Sequence, residues 1–128
     1  MAIIGVGIDV VDVPRFALAL ERRATLADRL FTDDERRDAK YHPERLAARF
    51  AAKEAVLKAL GVGIGGAPWK SIEIRRDASG APSVQLHDDA AALAARCGVE
   101  EFHLSMSHTM LTAVAFAVGS CRDSHDAG

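Results

Sequence analysis

Arg49, Lys53, Glu54 and Lys58 are spread through the stretch RFAAKEAVLKALGVGI (49–64), and far upstream Asp9 closes the apolar run AIIGVGI (2–8). Lysine and arginine suit phosphate. A hard divalent ion such as Mg2+ is commonly held by one or two carboxylates together with phosphate oxygens and water, and Asp9 with Glu54 could supply that pair. Both also admit plain readings: Asp9 as a turn or cap residue, and Glu54 in a surface i,i+4 ion pair with Lys58 worth about 0.3–0.5 kcal/mol.

Helical geometry bears on the choice. At 100° per residue Lys53 lies about 40° from Arg49, Glu54 about 140° and Lys58 about 180°. Phe50 and Leu57 fall between them, so the charges form two pairs divided by an apolar wedge, whereas a surface helix would gather them on one face. Burying the wedge draws the charges towards an interior or an interface, where unpaired charge is costly. An anionic ligand carrying a cation would supply partners.

Two further stretches could join them. Gly61, Gly63, Gly65 and Gly66 make the loop after the helix glycine-rich, so its backbone can approach a ligand closely. SMSHT (105–109) turns between two strands, and its Ser107, His108 and Thr109 offer hydroxyls and an imidazole. A Ser/His nucleophile pair is conceivable there, but the chain has no Gly-x-Ser-x-Gly elbow, and the same groups suit phosphate. His42, His87, His103 and His125 lack metal-ligand spacing.

The elements that must position these residues follow from the sequence pattern. Residues 2–8 read as a buried strand delivering Asp9 to its end. Asp12 caps a helix with Pro14 in its first turn, running to about Arg23. Thr32-Asp-Asp-Glu35 is a capping box opening a helix to about Tyr41. Pro43 starts the main helix and Gly61 stops it. Trp69–Arg76 and Ser83–His87 form a hairpin about the turn Asp77–Gly80, and Asp88 begins a helix that Gly98 ends. In 101–107 the apolar Phe102, Leu104 and Met106 alternate with polar residues, whereas 113–118 is apolar on both faces and hints at an oligomer.

With 128 residues the chain suits one domain, 1–119, followed by a polar tail from Ser120 (120–128) expected to be disordered. Charge is graded: residues 13–60 carry a net +3, residues 61–128 a net −3, and the whole a net −2. That excludes a strongly basic nucleic-acid binder but leaves room for a small anionic partner. No apolar run has the length of a membrane span, and the N-terminus lacks signal-peptide features, which predicts a cytoplasmic protein. Cys97 and Cys121 read as free thiols.

Together GIDVVDVPRF (7–16), RFAAKEAVLKALGVGI (49–64), WKSIEI (69–74) and SMSHT (105–109), in order over nearly the whole chain, resemble the holo-acyl-carrier-protein synthases, the small single-domain class of the phosphopantetheinyl transferases. The resemblance implies an α+β phosphopantetheinyl transferase fold, mostly antiparallel sheet packed by helices, in the order β-α-α-α-β-β-α-β-β. It implies transfer of the 4′-phosphopantetheine arm of coenzyme A to a serine of apo acyl carrier protein, with Mg2+ held by Asp9 and Glu54 and Lys58 reaching the pyrophosphate. Arg49, Lys53, the loop at Gly61, Gly63 and Gly65, and Ser107, His108 and Thr109 match positions lining the coenzyme A site. Some relatives carry an aspartate at Thr109 and a basic residue at Thr25. Arg15, with Arg22 further along its helix, matches the docking surface for the acidic carrier, and the resemblance implies a homotrimer with active sites between subunits. The alternatives are a Mg2+-dependent hydrolase of coenzyme A or a nucleotide, and a non-catalytic coenzyme A-binding protein.

Overall fold

A 17-residue helix, α4 (Pro43–Ala59), lies at the centre of the computed structural model, which describes residues 1–122. Eleven of its side chains are buried, among them Ala47, Ala48, Ala51, Ala52, Ala55 and Ala59. A helix covered nearly all round has no polar face to display, and alanine keeps its surface thin enough for neighbours to come close.

The closest neighbour is the first strand, β1 (Ala2–Asp12), whose Gly5, Gly7, Asp9 and Val11 turn towards α4. A Cβ built on Gly5 would stand 2.0 Å from the carbonyl oxygen of Ala59, and one on Gly7 2.0 Å from that of Ala55. Strand backbone therefore rests directly on helix backbone. Val6, Ile8 and Val10 point the other way and, with Ile3 and Ile4 beyond a register shift, stay exposed, which differs from the buried strand expected of AIIGVGI.

β1 pairs antiparallel with β5 (Thr112–Cys121), which pairs antiparallel with β4 (Glu101–His108), giving a sheet in the order β1-β5-β4. Asp9 stands opposite Ala115, and Ala115 opposite Met106, so one face holds Asp9 and the buried alanines 113, 115 and 117 against α4. The other face carries Val10, Ile8 and Val6 beside Val114, Phe116 and Val118. A second, two-stranded sheet pairs β2 (Ile72–Arg76) with β3 (Pro82–Leu86).

Local signals set the remaining helices. Asp12 Oδ1 accepts from the Arg15 amide at 2.9 Å and opens α1 (Val13–Arg22). Thr32 and Glu35 form the capping box of α3 (Asp33–Asp38), which ends before the predicted Tyr41 because Lys40 and Tyr41 take positive φ values of 52° and 60°. α5 (Asp88–Cys97) stops at the left-handed Gly98.

Three further expectations are corrected. A short helix, α2 (Leu26–Leu30), stands between α1 and α3, so three rather than two helices precede α4; five residues give too little periodicity to read. Trp69–Ser71 forms a 3-10 turn, and the hairpin strand begins at Ile72. Ser120 and Cys121, read as the start of the tail, belong to β5: Ser120 is buried, pairs with Ile3, and its hydroxyl lies 3.1 Å from His103 Nε2. Arg122 is exposed, with its amide donating to Glu100 Oε1 at 2.7 Å, and the rest of the predicted tail, 123–128 with His125, lies outside the described residues.

Candidate active site

Where β1 crosses α4, three side chains named from the sequence converge. Lys58 Nζ donates to the Ile8 carbonyl at 2.9 Å and to Asp9 Oδ1 at 3.2 Å. One turn earlier on α4, Glu54 is hydrogen-bonded to Asp9. Asp9 lies within β1 rather than at its end, and the absent side chains of Gly5 and Gly7 let the strand come close enough for this meeting.

Two carboxylates in contact repel when both are ionised. Burial first, then the hydrogen bond and charge of Asp9, push Glu54 up to about 7, against the opposing pull of Lys58. The pair thus favours any species that adds positive charge between its oxygens. Among the described residues no group of three or more His, Cys, Asp or Glu side chains converges as a metal cage; Asp9 and Glu54 stand as a pair.

On one side of them opens a cavity of about 430 Å3 whose wall includes Arg15, Phe16, Ala19 and Phe50. Phe50 stacks on Phe16 at 5.2 Å between centroids and packs on Trp69 at 5.0 Å, so the apolar wall is tied into the core. Asp12 also lines this cavity, but its carboxylate caps α1. Arg15 and Arg22 are exposed on α1 seven residues apart, roughly 20° from one another around the axis. On the other side of Glu54, a small hollow is walled by Leu57, Lys58, Val62, Gly63 and Ile64. Gly61 and Gly65, at φ 76° and 92°, shape that loop.

Arg49 and His108 line a different cavity, of about 280 Å3, with Asp38, Arg45 and Arg76. Only 2% of Arg49 is exposed; Nη1 donates to the Arg45 carbonyl at 3.3 Å, and Nε is buried without a partner. Burial, then the charge of Arg76, lowers the Arg49 pKa from its usual value, with Asp38 and Glu35 opposing. A buried cation with an unmet donor beside two more arginines is suited to an anion. Arg45 and Arg76 were not anticipated. Arg45 carries a signal, since it precedes Arg49 by one helical turn; nothing in the sequence sets Arg76 apart from the other charged residues of the hairpin.

Other predicted site residues fall elsewhere. Lys53 is fully buried, with Nζ 2.8 Å from Glu35 Oε1 and 3.0 Å from the Trp69 carbonyl, so it is not available to a phosphate. Thr109 Oγ1 accepts from the Leu111 and Thr112 amides, both at 3.1 Å, and thereby closes the β4–β5 turn. Ser107 pairs with Val114 and sits on the exposed sheet face with Val10, opposite to the face bearing His108. The chain alone therefore presents two separate half-sites, one around Asp9, Glu54 and Lys58 and one around Arg49 and His108.

A model of the 4′-phosphopantetheinyl transferase superfamily matches residues 5–115. A holo-acyl-carrier-protein synthase of Frankia casuarinae is 51% identical over 118 residues, 92% of this chain and 98% of that protein. Among solved structures, Helicobacter pylori holo-acyl-carrier-protein synthase in complex with coenzyme A is 29% identical with a TM-score of 0.82, over 90% of this chain and 99% of that one. The Bacillus anthracis synthase in complex with coenzyme A (3′,5′-ADP) is 34% identical with a TM-score of 0.77, over 95% of this chain and all of that one.

Proposed function

The chain belongs to the 4′-phosphopantetheinyl transferase superfamily, and we propose that it is a holo-acyl-carrier-protein synthase, transferring 4′-phosphopantetheine from coenzyme A to a serine hydroxyl of an apo acyl carrier protein and releasing adenosine 3′,5′-bisphosphate. The observation that carries this reading is the contact of Asp9 with Glu54 and Lys58, the two carboxylates lining a cavity that Arg15 also borders.

In such a transfer the nucleophile comes from the carrier, so the enzyme's task is positioning and charge stabilisation. Lys58 and Gly63 line the same hollow, so in this reading the Lys58 ammonium meets the pyrophosphate and Gly63 leaves room for a phosphate to approach. With Asp12 engaged as a helix cap, Asp9 and Glu54 are the carboxylates left to accept the serine proton. The same two carboxylates fit Mg2+, since a pair of oxygen donors, with phosphate and water completing the shell, is its usual protein complement. When bound, the ion neutralises charge developing on the pyrophosphate.

The second half-site supports an assembly. Val6 and Ile8 are each 55% exposed, Val10 63% and Phe116 43%, making one continuous apolar face on the sheet. Faces of that kind mark contacts between proteins. We propose that a second copy covers it and brings its Arg49 and His108 to the coenzyme bound at the first copy's Glu54 and Lys58, in the homotrimer that the resemblance implies. Arg15 and Arg22 then meet acidic residues of the carrier. A cytoplasmic location goes with this reading, and no helix among the described residues is long and apolar enough to cross a membrane.

Complementation tests the shared site. Co-expressed Glu54→Ala and Arg49→Ala chains, each inactive alone, should regain part of the wild-type transfer rate, because mixed assemblies contain interfaces with neither substitution. No recovery in demonstrably mixed assemblies would rule out sharing.

A further inference from the structure

The glycine loop is fixed at both ends from α4. At its start the Gly61 and Val62 amides donate to the Lys58 and Leu57 carbonyls at 2.9 and 3.0 Å. At its end, Lys53 Nζ donates to the carbonyl of Trp69 at 3.0 Å and to Glu35 Oε1 at 2.8 Å. Glu35 is itself immobilised, accepting from the amides of Thr32 and Ile74, each at 2.9 Å. One buried ammonium thus links α4, α3, β2 and the residue where the loop lands. The Trp69 ring packs against Phe50, part of the wall beside Asp9 and Glu54.

We propose that Lys53 is a positioning residue: through the Trp69 carbonyl it holds the glycine loop and the Phe50 wall in the geometry that receives coenzyme A, without touching the coenzyme. The inference rests on the transfer reading given above. Its physical basis is that filling this space does not require a charge. A buried ion pair is commonly no more stabilising than apolar side chains of similar volume. Lysine adds something methionine would not: a directed, charge-assisted bond to one backbone carbonyl, roughly twice as strong as a neutral one. That bond ends on the residue where the loop lands, whereas the bond to Glu35 ends on the scaffold.

Lys53→Met and Glu35→Gln separate the two roles. Lys53→Met keeps the side-chain volume, leaves Glu35 its two amide donors and frees the Trp69 carbonyl. It should raise the KM for coenzyme A about tenfold, as expected for loss of one charge-assisted bond, with the carrier KM within about twofold. Amide hydrogen exchange across residues 61–67 should accelerate, and emission of Trp69, the chain's one tryptophan, should shift. Glu35→Gln lowers the Tm but keeps a polar partner beside Lys53 and the Lys53–Trp69 donor–acceptor pair, so the coenzyme KM and the loop's exchange should change far less than in Lys53→Met.

A lower Tm in Lys53→Met with an unchanged coenzyme KM would overturn the proposal. So would a coenzyme KM in Glu35→Gln that rises in step with lost stability, and this comparison decides the matter if Lys53→Met does not fold. If the wild-type protein transfers nothing, the transfer reading fails on its own. Loop exchange in the two variants still tests the anchor, and unchanged exchange in Lys53→Met would refute it.

Discussion

Gly7 of β1 lies so close to Ala55 of α4 that a Cβ on the glycine would stand 2.0 Å from the alanine's carbonyl oxygen. Neither partner is a flexible side chain, so one methyl group must push the strand off the helix. Because Asp9 follows two residues later on the same strand face, the displacement reaches the carboxylate pair.

Gly7→Ala should therefore destabilise the protein by about 3 kcal/mol, at the upper end for overpacking a core, and should reduce transfer even in molecules that remain folded. Thermal unfolding and activity per folded molecule are the two readouts. A variant with wild-type Tm would show that the strand and helix are not in backbone contact.

Glu54 should leave a signature in the pH dependence of stability. Its pKa is raised from an ordinary 4.5 to about 7, so the fold favours the protonated form; the contribution is complete below pH 4.5 and is lost as pH rises towards 7. With metal chelated, stability attributable to this residue should fall over that window, and Glu54→Gln should flatten the fall. Added Mg2+ should stabilise the wild type more at pH 8 than at pH 5. The same variant should lose transfer by about a hundredfold or more, the scale for removing a group that stabilises developing charge. A Glu54→Gln stability profile that follows the wild type through pH 4.5–7 would contradict the assigned contact with Asp9.

Arg15→Glu should raise the carrier KM about tenfold while leaving the coenzyme A KM within about twofold, since a reversed rim charge acts on encounter with a charged partner. The wild-type carrier KM should also climb with ionic strength, and the variant's should climb less. An unchanged carrier KM in Arg15→Glu would remove α1 from the docking surface.

Much of this was legible in the sequence because it depends on local chemistry. Asp12 and the Thr32–Glu35 box announced their helices, Gly98 its stop, and the motif residues Asp9, Glu54 and Lys58 do meet. What stayed hidden depends on which elements face one another. The glycines of GVGID read as part of an apolar run, yet their role is the close approach of a helix that begins far downstream. Lys53 carries the same charge as Lys58 and sits in the same motif, but the rotation of α4 sends it to Glu35 and Trp69 rather than to Asp9. Ser107 and His108 are adjacent in sequence and lie on opposite faces of β4, so one strand residue cannot stand in for the other.

The most direct test of the account is the intact mass of an apo acyl carrier protein after incubation with this protein, coenzyme A and Mg2+, beside a sample in which the metal is chelated. The carrier should gain one phosphopantetheine group on its serine, adenosine 3′,5′-bisphosphate should appear in equal amount, and the chelated sample should show neither. A carrier of unchanged mass while coenzyme A is consumed would contradict it and identify a hydrolase; unchanged carrier and unchanged coenzyme would contradict it in favour of a protein that only binds.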